Sequence, residues 1–325
     1  MDRMADPIAG PQNTPPSGRL FPPSEPFDRR MIQTGDGHEI YVEQCGHPDG
    51  RPVVVLHGGP GGGCSPVMRR FFDPKRYRII LFDQRGCGRS RPVASVTANT
   101  TTHLVADIEL IRSALGLGPV VLFGGSWGAT LALAYAQTHP EGVSALVLRG
   151  VFLGMRDELD WFYRGGAARF FPDLWDRFIA PLPDDERGDP ITAYHRRLFD
   201  PDLPTQVRFA QPWVAWENSL AGLETCAGGT VPSEYARTFA RLECHYFQNN
   251  CFMADGQLLR DRHRIEHLPA VIIQGRYDMV CPPASAYALA DGWDGCDLRL
   301  VPASGHALSE PRIMSELVRV MATLA

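Results

Sequence analysis

The 325-residue chain is 44% hydrophobic and 21% charged, with 32 lysines and arginines against 37 aspartates and glutamates and a formal net charge of −5. That length holds one large domain or a core with an insertion, and the apolar share is enough to bury a substantial core. The mild acidity gives no footing for nucleic acid or an anionic membrane, and no apolar run approaches the roughly 18 residues of a membrane span. The first residues carry no apolar segment of the secretory kind. Eight cysteines, at positions 45, 64, 87, 226, 244, 251, 281 and 296, form no Cys-x-x-Cys pair. They read as reduced thiols of a cytoplasmic protein rather than a disulfide framework or a zinc site.

Residues 1–26 hold seven prolines and few apolar side chains, the composition of a flexible or extended arm. From residue 27 the pattern turns strand-like. Met31-Ile32 and residues 38–42 flank Thr34-Gly35-Asp36-Gly37, a hairpin signal. Short, nearly continuous apolar runs follow at 53–56, 77–82, 120–123 and 145–148, as expected of strands covered on both faces, with helical patterns such as 102–115 between them. This alternation specifies an α/β fold with a mostly parallel sheet and helices on both faces. From about 154 to 265 the rhythm breaks into aromatics, arginines and prolines, including Trp161-Phe162-Tyr163, Trp175, Trp213 and Trp216. We read this interval as a mainly helical cap inserted into a core of residues 27–153 and 266–325. Strand rhythm returns at Val271, and helical spacing closes the chain from Glu310.

The most informative segment is residues 120–133, a short apolar run, Gly124-Gly125-Ser126-Trp127-Gly128, and an alanine-rich helical stretch. Gly-x-Ser-x-Gly alone fits any glycine turn. Between a strand and a helix it is a nucleophile elbow, whose glycines permit the sharp turn that exposes the serine. A serine hydroxyl needs a histidine base and an acid to orient that base. Asp278 just past the 270–275 run and His306 just past the 298–301 run supply them, and the order Ser126, Asp278, His306 is that of the α/β-hydrolase fold. Acyl transfer also needs N–H donors for an oxyanion. The glycine run 58–63, after the strand ending at Leu56, provides one from Gly59, and Trp127, after the nucleophile, provides the other. A phosphate loop is the rival for so glycine-rich a turn, but no Gly-Lys-Ser/Thr follows.

Gly-Gly-Ser-Trp-Gly at 124–128, His57-Gly58-Gly59-Pro60-Gly61, the stretch Asp83-Gln84-Arg85-Gly86-Cys87-Gly88-Arg89-Ser90, and Arg149-Gly150-Val151-Phe152 together resemble the proline iminopeptidase family along nearly the whole chain. Segments 213–217 and 240–247 resemble that family's cap. The resemblance implies release of N-terminal proline from small peptides, with Ser126, Asp278 and His306 as triad and Glu217 and Glu243 holding the free amine. Cys244 departs from a more usual polar residue beside Glu243.

A prolyl terminus carries a positive charge and two N–H donors on a compact apolar ring, so two carboxylates among aromatic residues suit it chemically. Phe152 and Phe162 are candidate walls, and Arg149 a candidate support of the pocket or half of a buried ion pair. No metal or organic cofactor is expected, and homo-oligomerisation stays open. Another capped hydrolase (esterase, amidase or broader aminopeptidase) is the nearest alternative. Ser126 argues against the aspartate-nucleophile hydrolases, and the complete triad against a non-catalytic binding protein. Cys281, three residues after Asp278, is a candidate site of thiol sensitivity.

Overall fold

The computed structural model describes residues 18–224 and 230–324. Most of the proline-rich arm, residues 1–17, and Cys226 lie outside the described residues. The seven described cysteines are all free.

The expected hairpin forms from β1 (Asp28–Gln33) and β2 (Glu39–Gly46), followed by β3 (Arg51–Leu56), β4 (Tyr77–Phe82), α1 (Thr101–Ala114), β5 (Val120–Ser126), α2 (Trp127–Thr138) and β6 (Val143–Val151). Between β6 and the next strand come α3 (Arg156–Tyr163), α4 (Pro172–Ile179), α5 (Pro190–Leu198), α6 (Leu203–Leu220), α7 (Ser233–Gln248) and the short α8 (Gln257–Arg260). Then β7 (Ala270–Gly275), α9 (Pro283–Ala290), β8 (Cys296–Val301) and α10 (Pro311–Leu324) complete the chain. The eight strands form one sheet in the order β1-β2-β4-β3-β5-β6-β7-β8. β1 and β2 pair antiparallel, as do β2 and β4, while every pair from β4 to β8 is parallel. The chain is therefore an α/β-hydrolase fold, a mostly parallel sheet with helices on both faces.

Period-two alternation explains the continuous apolar runs. Val54, Leu56, Ile80, Phe82, Leu122, Leu146, Leu148 and Ile272 face one core with α1 and α2, while Val53, Val55, Ile79, Leu81, Val121, Phe123, Val147 and Ile273 face another with α10. Each such buried aliphatic side chain contributes about 1.5–3 kcal/mol over exposure. The outer strand β1 carries Asp28, Arg29 and Arg30, charges that discourage edge-to-edge pairing. Because they run parallel, β3, β5, β7 and β8 all end on one rim, where an open α/β sheet builds its site.

Candidate active site

Ser126 ends β5 with φ 57° and ψ −128°, in the strained region that an L-residue occupies only when its surroundings force it. What forces it is the close fit of the elbow. A Cβ on Gly128 would lie 2.0 Å from the Leu56 carbonyl oxygen, and one on Gly124 would lie 2.2 Å from that of Gly128. The first turn of α2 is thereby pressed against the end of β3, and Ser126 is turned out into a cavity.

Asp278 is buried in the loop after β7. Its Oδ1 accepts from the N–H groups of Val280 (3.0 Å) and Cys281 (2.8 Å), and its Oδ2 accepts from Gln274 Nε2 (3.1 Å) and pairs with His306 Nδ1 at 2.7 Å. His306 is also held by its backbone. Its N–H donates to Ala221 O at 2.9 Å, just past α6, and its carbonyl accepts from Arg149 at 2.6 Å. Gly150, with φ +55°, passes so close that a Cβ there would lie 2.8 Å from His306 Cε1.

Ser126, Gly59, Phe152, Phe162, Glu217 and Glu243 line one cavity of about 330 Å³, with Glu158, Leu159, Tyr163, Phe247, Val280 and Cys281. Gly59 has φ +111°, which only glycine adopts easily, and Trp127 follows Ser126 at the positive end of α2. The lining contains three carboxylates and no lysine, arginine or histidine. Glu217 comes from α6 and accepts from the Tyr163 hydroxyl, and Glu243 comes from α7 and accepts from Trp213 Nε1 at 2.7 Å. Burial pushes the Glu217 carboxyl up to about 7. Glu243 is 1% exposed and lifted well above the carboxylate range, by burial first and by the charge of Glu217 second.

Glu158 differs from that pair. Its oxygens are occupied by the N–H groups of Leu153 and Met155 and by the Ser285 hydroxyl at 2.5 Å, so it ties the chain leaving β6 to α3 and α9. Burial raises its pKa to about 7.

The profile of the α/β-hydrolase fold family matches residues 51–312. A proline iminopeptidase of Xylella fastidiosa is 52% identical over 303 residues, 92% of this chain and 97% of that one. Another from Arabidopsis thaliana is 48% identical over 92% of this chain and 80% of its own length. The chain belongs to the proline iminopeptidase family. A solved proline iminopeptidase-related protein of Thermus thermophilus, 23% identical, matches with a TM-score of 0.56 over 91% of this chain and 95% of that one, a likeness of fold.

One residue expected at the pocket stands elsewhere. Arg149 lies behind the site, in a second cleft with His57, Gly58 and Gly125, and forms no ion pair among the described residues. Its guanidinium donates to the His306 carbonyl, its Nε is buried without a hydrogen-bond partner, and burial lowers its pKa. Sequence reading did not single out Tyr163, Phe247, Glu158 or Cys281 as lining. Tyr163 is the neighbour of Phe162 in an aromatic triplet, and Phe247 lies four residues beyond Glu243 on the same face of α7, so helical spacing offered a signal for that one.

Proposed function

We propose that this protein is a serine exopeptidase that releases N-terminal proline from peptides, with Ser126, Asp278 and His306 as its triad. The observation that carries the reading is a cavity opening on Ser126 that holds paired carboxylates, aromatic walls and no basic side chain. A cation with two N–H donors and an apolar ring satisfies that cavity. The helices between β6 and β7 act as a cap, bringing Glu217 and Glu243 over the end of β5.

In the proposed mechanism Glu217 and Glu243 hold the imino group, and Phe152, Phe162 and Phe247 enclose the ring. With His306 Nδ1 engaged by Asp278, Nε2 takes the Ser126 proton as the serine oxygen attacks the prolyl carbonyl. The tetrahedral oxyanion rests on the N–H groups of Gly59 and Trp127. His306 then protonates the departing amine, and water, deprotonated by the same nitrogen, releases proline from the acyl enzyme. Arg149 serves by fixing the His306 backbone. A reduced intracellular setting accords with the free cysteines, and no helix among the described residues is long and apolar enough to cross a membrane.

The test is Ser126→Ala in folded protein, which should abolish both turnover and labelling by a fluorophosphonate. Turnover within tenfold of wild type would refute the assignment.

A further inference from the structure

Gln84 follows β4 and lies outside the cavity lining, yet it joins the two segments that carry the oxyanion donors. Its backbone N–H donates to His57 Nε2 at 3.0 Å, and its side-chain Nε2 donates to the His57 carbonyl at 2.9 Å. Its Oε1 accepts from the indole Nε1 of Trp127, also at 2.9 Å. The amide thus grips the residue two before Gly59 with its donor and Trp127 itself with its acceptor. Gln84 is 1% exposed and Trp127 fully buried, so water does not replace either bond when it is lost.

The His57 ring extends the brace. Its Nε2 accepts from the Gln84 N–H, and its Nδ1 lies 3.0 Å from Gly58 O and 3.2 Å from the Gly63 N–H, so the ring is held between the end of β4 and the glycine loop. Burial lowers the pKa of the ring and so favours its neutral form. Gly58 O also accepts from Gly62 N–H at 3.1 Å, closing the glycine loop on itself.

We propose that Gln84 is the positioning residue of the oxyanion hole, fixing the spacing between the Gly59 loop and the first turn of α2. This rests on the assignment of Gly59 and Trp127 as donors. Both groups must aim at the point where charge develops, within about 2.7–3.1 Å of the oxyanion rather than of the ground-state carbonyl oxygen. Misplacing one is felt in the tetrahedral state and not in the grip of the glutamates on the prolyl ring. Glutamine is specific to the task because it offers a donor to a carbonyl and an acceptor to an indole. Glutamate has only the acceptor, methionine has neither, and asparagine is one methylene short.

The experiment compares wild type, Gln84→Met, Trp127→Phe and the double variant with three probes. These are a chromogenic prolyl anilide, pyrrolidine-2-boronic acid as a tetrahedral mimic, and L-prolinol, which has the ring and charge but no carbonyl. Since losing a whole donor costs about 10²–10³ in kcat, displacing one should cost roughly tenfold or more. Gln84→Met should lower kcat and boronate affinity by similar factors while KM and prolinol affinity stay within about twofold. Trp127→Phe should act in the same direction, and the double variant should fall well short of the product of the two losses.

Unchanged kcat, or equal weakening of boronate and prolinol, would overturn the proposal. If Gln84→Met does not fold, Trp127→Phe breaks the same bond from its other end and is judged by the same probes. A crystal structure of the wild-type boronate adduct separates the two levels. A boronate oxygen away from Gly59 and Trp127 N–H overturns the donor assignment, whereas one held by both, with an unaffected Gln84→Met, overturns the brace alone.

Discussion

Replacing either cavity carboxylate by its amide should cost prolyl substrates a hundredfold or more. Glu243→Gln keeps an oxygen for Trp213 Nε1 and nearly the same volume, so what is removed is the negative charge that the buried carboxyl takes up when a cation binds beside it. The lining has no basic side chain and Glu158 is committed to two backbone N–H groups and Ser285, so the substrate cation depends on Glu217 and Glu243. Leaving a desolvated charge under-paired typically costs about 2–5 kcal/mol. At about 1.4 kcal/mol per decade the middle of that range is roughly a hundredfold or more in kcat/KM. The assay is kcat/KM for a prolyl anilide and its N-acetyl derivative, alongside the labelling rate with a small neutral fluorophosphonate. Both Glu217→Gln and Glu243→Gln should lose prolyl turnover, keep their labelling rate, and leave the already poor acetyl-prolyl rate little changed. Equal loss on both substrates would show that the glutamates are structural and refute the reasoning.

Three further outcomes are expected. Gly150→Ala should lower kcat by about a hundredfold, since the new methyl group displaces His306 and a shift of about 1 Å can cost that much; an active, folded Gly150→Ala would contradict the described geometry. The Glu217 carboxyl, ordinarily at 4.5, is raised to about 7, so the folded state holds a proton there that the unfolded chain releases. Its contribution to stability is therefore full below about 4.5 and lost as pH rises through about 7. Thermal unfolding from pH 5 to 8 should show a steeper decline for wild type than for Glu217→Gln, and identical slopes would reject this. Cys281 lines the cavity, its N–H holds Asp278 Oδ1, and burial drives its thiol pKa far up, so a mercurial should inhibit slowly and Cys281→Ala should be active and resistant. Unchanged sensitivity in Cys281→Ala would point to another thiol.

The sheet was legible because strands buried on both faces leave unbroken apolar runs, and the elbow because Gly124 and Gly128 answer a steric demand that no other residue meets. Asp278 and His306 could be found because strand ends in this fold are short loops at fixed places. Strand lengths were less visible. β6 continues through Val151 although its apolar run stops at Leu148, because it stays paired with β5 as far as Ser126, and Arg149 reaches the His306 carbonyl from there. Arg149 carried no sequence mark of facing away from the cavity. Gln84 acts on the His57 carbonyl and the Trp127 indole, both remote in sequence, and Glu158 reaches Ser285 although its backbone contacts at the start of α3 are local; no local pattern encodes the remote contacts. The cap was legible only as missing strand rhythm, so its lining was found through the resemblance or, for Tyr163 and Phe247, in three dimensions, as was the place of Cys281 in the cavity from the core loop after β7.

The most direct test of the central claim is the rate at which one chromogenic amine is released from prolyl, alanyl, leucyl and N-acetyl-prolyl derivatives by the wild-type protein. The account predicts that the free prolyl derivative exceeds the others in kcat/KM and that acetylation abolishes most of its advantage, because it removes the charge and the donors that Glu217 and Glu243 require. An N-acetyl-prolyl rate equal to the prolyl rate, or a leucyl rate above it, would contradict it.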